Sequence, residues 1–155
     1  MIVLLLAAGL AAPVISHTEI RPSFAGSHMT SAYMTVLSPN ADRILDVNCA
    51  CAMSVEMHQT QIQNGIARMV GPAPVDVPAG QPLVFAPGGR HLMVMGLKSP
   101  IKPGQVVTFT LNFKVAGPLK VDFTAPTTKS PATKSPATTS PAHDMGNMPG
   151  MEHHH

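Results

Sequence analysis

Charge is scarce in this chain of 155 residues: Lys and Arg number 10, Asp and Glu 8, and the formal net charge is only +2. The few cations lie singly, so no stripe exists that would neutralise a row of phosphates, and nucleic acid is not an expected partner. Aromatic residues are equally few. With no Trp and a single Tyr, Tyr33, the chain has neither a base-stacking platform nor an aromatic sugar-binding face. Cysteine is limited to Cys49 and Cys51 in NCACA, too few for a disulfide framework and without the second pair of a structural zinc site. That pair leaves three readings open: a disulfide in an oxidising compartment, thiolates added to a metal site, or small buried strand residues. No catalytic constellation stands out, and the chain is not expected to be an enzyme.

Methionine, at 11 residues, is abundant. Residues 1–16, MIVLLLAAGLAAPVIS, form an apolar run followed by small residues, too short to cross a hydrocarbon core of about 30 Å comfortably and shaped like an export signal. Cleavage after Ala11, Ala12 or Ser16 fits equally, and no membrane contact is expected beyond this segment. Residues 17–126 have room for one core, and the domain is expected to be monomeric. From Tyr33 to Phe123, short β-prone runs alternate with turn signals, and no stretch carries a helical period. Tyr33 to Leu37 and Ile44 to Val47 read as strands joined in a hairpin through Ser38, Pro39, Asn40 and Asp42. Val107, Phe109, Leu111 and Phe113 alternate with Thr108, Thr110 and Asn112, and Leu119, Val121 and Phe123 repeat the pattern, so one face is core and the other wet.

The composition changes after Thr124. TKSPA, TKSPA and TTSPA occupy 128–142 with no apolar residue larger than Ala or Pro, so a linker over 127–142 has too little to bury to offset its chain entropy and is expected to be disordered. Residues 143–155, HDMGNMPGMEHHH, form a His/Met-rich tail.

Four soft or borderline metal ligands fall on the strand-like segments: His58, Met69, His91 and Met93. Asn64-Gly65 is a type I′ hairpin signal, and if Gln63 pairs with Ile66 then Thr60 pairs with Met69, which puts His58 on the same face as a diagonal neighbour of Met69. His91 and Met93, at i and i+2 after Pro87-Gly88-Gly89, share a face by the period of two. Singly each is weak evidence, since a lone Met in a β-protein usually fills a core gap and a lone His is often a hydrogen-bonded surface group. Together, two thioethers and two imidazoles favour Cu(I). A blue-copper electron-transfer centre is disfavoured because no Cys lies near His91. Neutral ligands leave the Cu(I) charge uncompensated, so exchange to a thiolate-bearing acceptor runs downhill, and imidazole protonation weakens binding as pH falls towards about 6.

Ten residues separate His58 from Met69, twenty-one separate Met69 from His91, and one separates His91 from Met93. With VEMHQT, ARM and GGRHLMVMGLKSP around them, Tyr33 to Phe123 resembles the PCu(A)C periplasmic copper chaperones. The resemblance implies an all-β, cupredoxin-like Greek-key barrel or sandwich that binds one Cu(I) through those four residues. It further implies a periplasmic protein that delivers copper to the dinuclear centre of cytochrome c oxidase, directly or through another assembly factor.

Other residues carry secondary expectations. Met95 reads as core in preference to an auxiliary ligand, Glu56 as a solvated carboxylate in preference to a partner of His58, and Met53 and Met57 as packing residues. In the tail, His143, Met145, Met148, Met151, His153, His154 and His155 form a candidate second site, able to hold Cu(II) as well as Cu(I) and to hand copper across the linker, although three terminal His also resemble a tag remnant. His17, if exposed as an N-terminus by cleavage after Ser16, would suit a copper monooxygenase, with His28 lacking a clear role as its further ligand. Copper buffering for resistance would use the same four ligands without delivery. In a metal-free β-sandwich interaction module, the His/Met set would be packing alone.

Overall fold

The computed structural model describes residues 11–127; residues 1–10 of the expected export signal, almost all of the linker and the whole tail lie outside them. Ten strands run β1 (Val14–Ile20), β2 (Met29–Leu37), β3 (Asp42–Cys49), β4 (Ala52–Gln63), β5 (Ile66–Val70), β6 (Val75–Val77), β7 (Leu83–Phe85), β8 (Arg90–Leu97), β9 (Val106–Phe113) and β10 (Gly117–Thr124), with no helix among the described residues. They pair in the order β5-β4-β8-β7-β2-β1-β10-β9-β3-β6. A further pairing of Val47 with Val55 joins β3 to β4 and closes an eight-stranded barrel, leaving β5 and β6 as flanking strands. The all-β barrel is the expected architecture.

Alternation fills the barrel. Val107, Phe109, Leu111 and Phe113 of β9 are all buried, and Phe109 meets Phe123 of β10 at a ring separation of 4.4 Å. Each such side chain contributes about 1.5–3 kcal/mol by leaving water. Ala32, Met34 and Val36 of β2 and Leu92 and Val94 of β8 close the core from the other side. Their strand neighbours therefore face outward, and this parity sets the position of the functional residues.

One expectation is corrected. β2 and β3 do not form a hairpin: β2 is held by β1 on one edge and by β7 and β8 on the other, while β3 is held by β9, β6 and β4. Both edges of each strand are taken by partners distant in sequence, so Ser38 to Ala41 becomes a crossover in the Greek-key manner, with the Ser38 hydroxyl donating to the Asn40 carbonyl at 2.7 Å. Of the three cleavage points considered, Ala11 and Ala12 precede β1, and Ser16 lies within it, where Val14, Ile15 and Ser16 pair with Leu37, Val36 and Thr35.

Candidate metal centre

The β4–β5 hairpin forms in the expected register, with Gln63 opposite Ile66 and Thr60 opposite Met69. Asn64 and Gly65 turn the chain at φ 52 and 75, the left-handed values a type I′ turn needs. Met69 therefore shares the outer face of the sheet with Thr60, and His58 stands diagonally across from it. Every residue of β5 is exposed, Met69 to 59%.

β8 runs along the other edge of β4 in antiparallel register, with His91 directly opposite His58, Met93 opposite Glu56 and Leu92 opposite Met57. Met57 and Leu92 are buried, which fixes the inner face and leaves His58, Glu56, His91 and Met93 together on the outer one. The expectation that Met57 lies opposite to His58 holds. Three adjacent strands thus bring His58, Met69, His91 and Met93 to a single face.

Hydrogen bonds assign a role to each ring nitrogen. His91 Nδ1 lies 3.2 Å from the Gly89 carbonyl, which also accepts from the Thr60 N–H at 3.1 Å. A carbonyl only accepts, so Nδ1 carries the proton and Nε2 keeps a lone pair. His58 Nε2 lies 2.7 Å from Glu56 Oε2, and its Nδ1 is buried with no partner. With the proton on Nε2, that buried Nδ1 presents a lone pair that nothing in the protein satisfies, an unfavourable state that a metal ion relieves. The ring centroids are 5.8 Å apart at 38°, near the span of two imidazoles facing one ion through bonds of about 2 Å. The donor set fits a soft cation.

Gly71, which ends the hairpin arm at φ 143, comes so close to β4 that a Cβ there would lie 2.6 Å from the Met57 carbonyl oxygen and 3.4 Å from His58 Cγ. Only glycine lets the chain turn over the imidazole here. A cavity of about 230 Å³ opens beside this turn with His58, Val70, Pro74 and Arg90 among its walls, so one flank of His58 is open space.

Several secondary expectations change. Glu56 is half-buried and bonded to His58 instead of solvated, and it places a carboxylate charge beside a cation that was expected to go uncompensated. Met95 lies on the outer face opposite Ser54 and is not in the core, and Met53 is 85% exposed instead of packed. Cys49 and Cys51 form a disulfide across the β3–β4 turn, and Cys51, just before β4, is seven residues from His58, about 23 Å at about 3.3 Å per residue, so they supply no thiolate to this face. His17 lies in β1 at a bulge between Ser16 and Glu19, and β2 and β8 separate its strand from β4, so it does not join the imidazole pair. The residues His143, Met145, Met148, Met151, His153, His154 and His155 lie outside the described part of the chain.

Residues 13–125 match the LpqE-like family, described as "Putative lipoprotein LpqE-like". A protein of Leifsonia xyli subsp. xyli (strain CTCB07), described as "Putative lipoprotein Lxx21020", is 38% identical over 109 residues, which span 64% of this chain and 65% of that relative. Among solved structures, the copper-bound PCuAC domain from PmoF2 is similar with a TM-score of 0.63 at 22% identity, over 77% of this chain and 96% of that one. The solution structure of CuI-DR1885 from Deinococcus radiodurans gives 0.56 at 25% identity, over 81% and 83%. Matched from Pro13 to Ala125, nearly the whole of its described length, the chain belongs to the LpqE-like family, and its barrel has the PCuAC fold.

Proposed function

We propose that this protein is a non-enzymatic carrier of Cu(I), exported to the cell envelope, which holds the ion on the outer face of β5, β4 and β8 and releases it to an acceptor by ligand exchange. The observation that carries the reading is the imidazole pair: His58 Nδ1 is buried without a partner while Nε2 is tied to Glu56, and the facing His91 has Nε2 free. Met69 and Met93 on the same face add two thioethers, the soft donors Cu(I) favours over Zn(II) or a hard cation. The copper-bound relatives support the same cargo.

The arrangement suits transfer. Met69 is more than half exposed on a flanking strand, so an acceptor thiolate can replace it while the imidazoles and Met93 still hold the ion. Copper is then never free. The acceptor class that fits is a thiolate-bearing copper centre, and the dinuclear site of cytochrome c oxidase is the one we favour. The tail residues from His143 to His155 serve in this reading as a tethered capture segment, for Cu(II) as well as Cu(I).

The test is anaerobic transfer from the Cu(I)-loaded full chain to the soluble apo copper domain of such an oxidase, followed by the absorption of the assembled dinuclear centre. The native chain loads the acceptor, and a chain carrying H58A and H91A does not. Equal transfer by both would refute the site. Tight binding by the native chain without transfer would favour copper buffering.

A further inference from the structure

The outer face of β8 continues beyond the imidazole pair. Met95 follows Met93 at i+2, and β2 places Met29 directly opposite Met95 and Ser31 opposite Met93. Thr30, between them, and Ala32, after Ser31, are buried, so Met29 belongs to the same outer face as Met93 and Met95. Cβ atoms of directly opposed residues stand about 5 Å apart and of diagonal ones about 7–8 Å, spans that three flexible thioether side chains can close around one ion.

Packing does not account for Met29. Methionines that fill the core are covered, as Met34 is at 0% and Met57 at 6%, whereas Met29 is 52% exposed. Met53, the β4 residue beside Ser54, is 85% exposed and lies across Gly96, where a Cβ would meet its sulfur at 2.9 Å. Met29 stands largely in water beside the half-buried Met93 and Met95, and the three thioethers together make a soft-metal donor set.

We propose that Met29, Met95 and Met93 form a second site for a soft monovalent cation, Cu(I) or Ag(I), adjoining the imidazole site and sharing Met93 with it. It holds the metal more weakly, since it has no imidazole among its three donors, and Glu56, opposite Met93, is engaged by His58. An ion arriving there moves to the imidazole site by exchanging the Met95 and Met29 sulfurs for the His91 and His58 nitrogens while Met93 stays bound. Only metal–ligand bonds change, and the metal remains monovalent throughout. The inference rests on reading this outer face as a Cu(I)-carrying surface.

The experiment titrates the full chain, with its methionine methyl groups labelled with ¹³C, with Cu(I) under anaerobic conditions and separately with Ag(I). Residue-resolved signals keep Met145, Met148 and Met151 of the tail apart from the domain. In the native chain Met69 and Met93 shift first, and Met29 and Met95 shift as more metal is added. In the H58A/H91A chain Met29, Met93 and Met95 shift together and Met69 does not. Adding M29L and M95L to that background weakens the remaining binding to the domain at least about tenfold, while the same pair in the native chain changes its tightest domain affinity less than about twofold. Met29 and Met95 signals that stay fixed up to saturation in both chains would overturn the proposal. A response of Met29 and Met95 without one at Met69 in the native chain would leave it standing and remove the imidazole site instead.

Discussion

His58 and His91 are direct cross-strand partners on β4 and β8, thirty-three positions apart in the sequence, with their ring centroids 5.8 Å apart. Their pairing turns two separate strand motifs into one face. Glu56 completes it by holding His58 Nε2 at 2.7 Å, which leaves the buried Nδ1 without a partner in the protein.

Glu56 therefore acts through His58. Replacing it with Gln keeps an acceptor for Nε2–H but removes the charge that orients the ring and offsets the cation. Glu56→Gln is expected to lower Cu(I) affinity about tenfold in competition with a chromophoric Cu(I) chelator, with an unchanged thermal midpoint. Unchanged affinity would show that the carboxylate does not support the site.

Met57 and Met69 separate packing from binding. Met57 is 6% exposed inside the barrel, so Met57→Ala is expected to cost about 2–5 kcal/mol in a denaturant titration. Met69 is 59% exposed, so Met69→Ala is expected to change stability by less than about 0.5 kcal/mol while weakening Cu(I) binding. The reverse pattern would place Met69 among the packing residues.

At Gly71 a Cβ meets both backbone and ring. With φ at 143 and the Met57 carbonyl oxygen 2.6 Å from the added carbon, Gly71→Ala must shift the hairpin arm away from His58. It is expected to destabilise the domain by at least about 1 kcal/mol and to reduce Cu(I) affinity in the same preparation. A variant with native stability and affinity would contradict the close approach.

Asp42 gives the acid side of the stability profile. Burial raises its pKa, but the N–H groups of Val115, Arg43 and Ala116 donate to the carboxylate and bring it below its ordinary 3.8. A group whose folded pKa is depressed stabilises fully above the ordinary value, and the contribution is lost as pH falls from 3.8 through the folded value. Asp42→Asn is expected to lower the thermal midpoint near neutral pH and to flatten its decline below 3.8. Parallel curves for the two proteins would contradict the anchoring of the β9–β10 turn by this carboxylate.

Local chemistry made the hairpin legible. Asn64-Gly65 specifies its own turn, so the Thr60 to Met69 register follows from sequence alone, and the alternation of β9 and β10 likewise announces which face is core. The partnership of β4 with β8 is different, because nothing within either strand names its neighbour. Its signal was the spacing of His58, Met69, His91 and Met93, which through the family resemblance implies one shared site. Glu56 looked solvated for the same reason: its environment comes from Met93 across the pair and from the fold of the His58 ring above it. The turn at Ser38 to Asn40 misled in the opposite direction, since a turn signal says that the chain bends and not that the flanking strands pair. Their edges went to strands from elsewhere in the chain. Met29 was silent in sequence because its meaning depends on standing opposite Met95.

The central claim is that His58, His91, Met69 and Met93 take the tightest Cu(I). The most direct measurement is an anaerobic titration of the full chain with one equivalent of Cu(I), read by NMR at the ring signals of His58 and His91 and the methyl signals of Met69 and Met93. The account predicts that these four move together and saturate at one equivalent. Movement confined to the tail between His143 and His155, with the four unmoved, would contradict it.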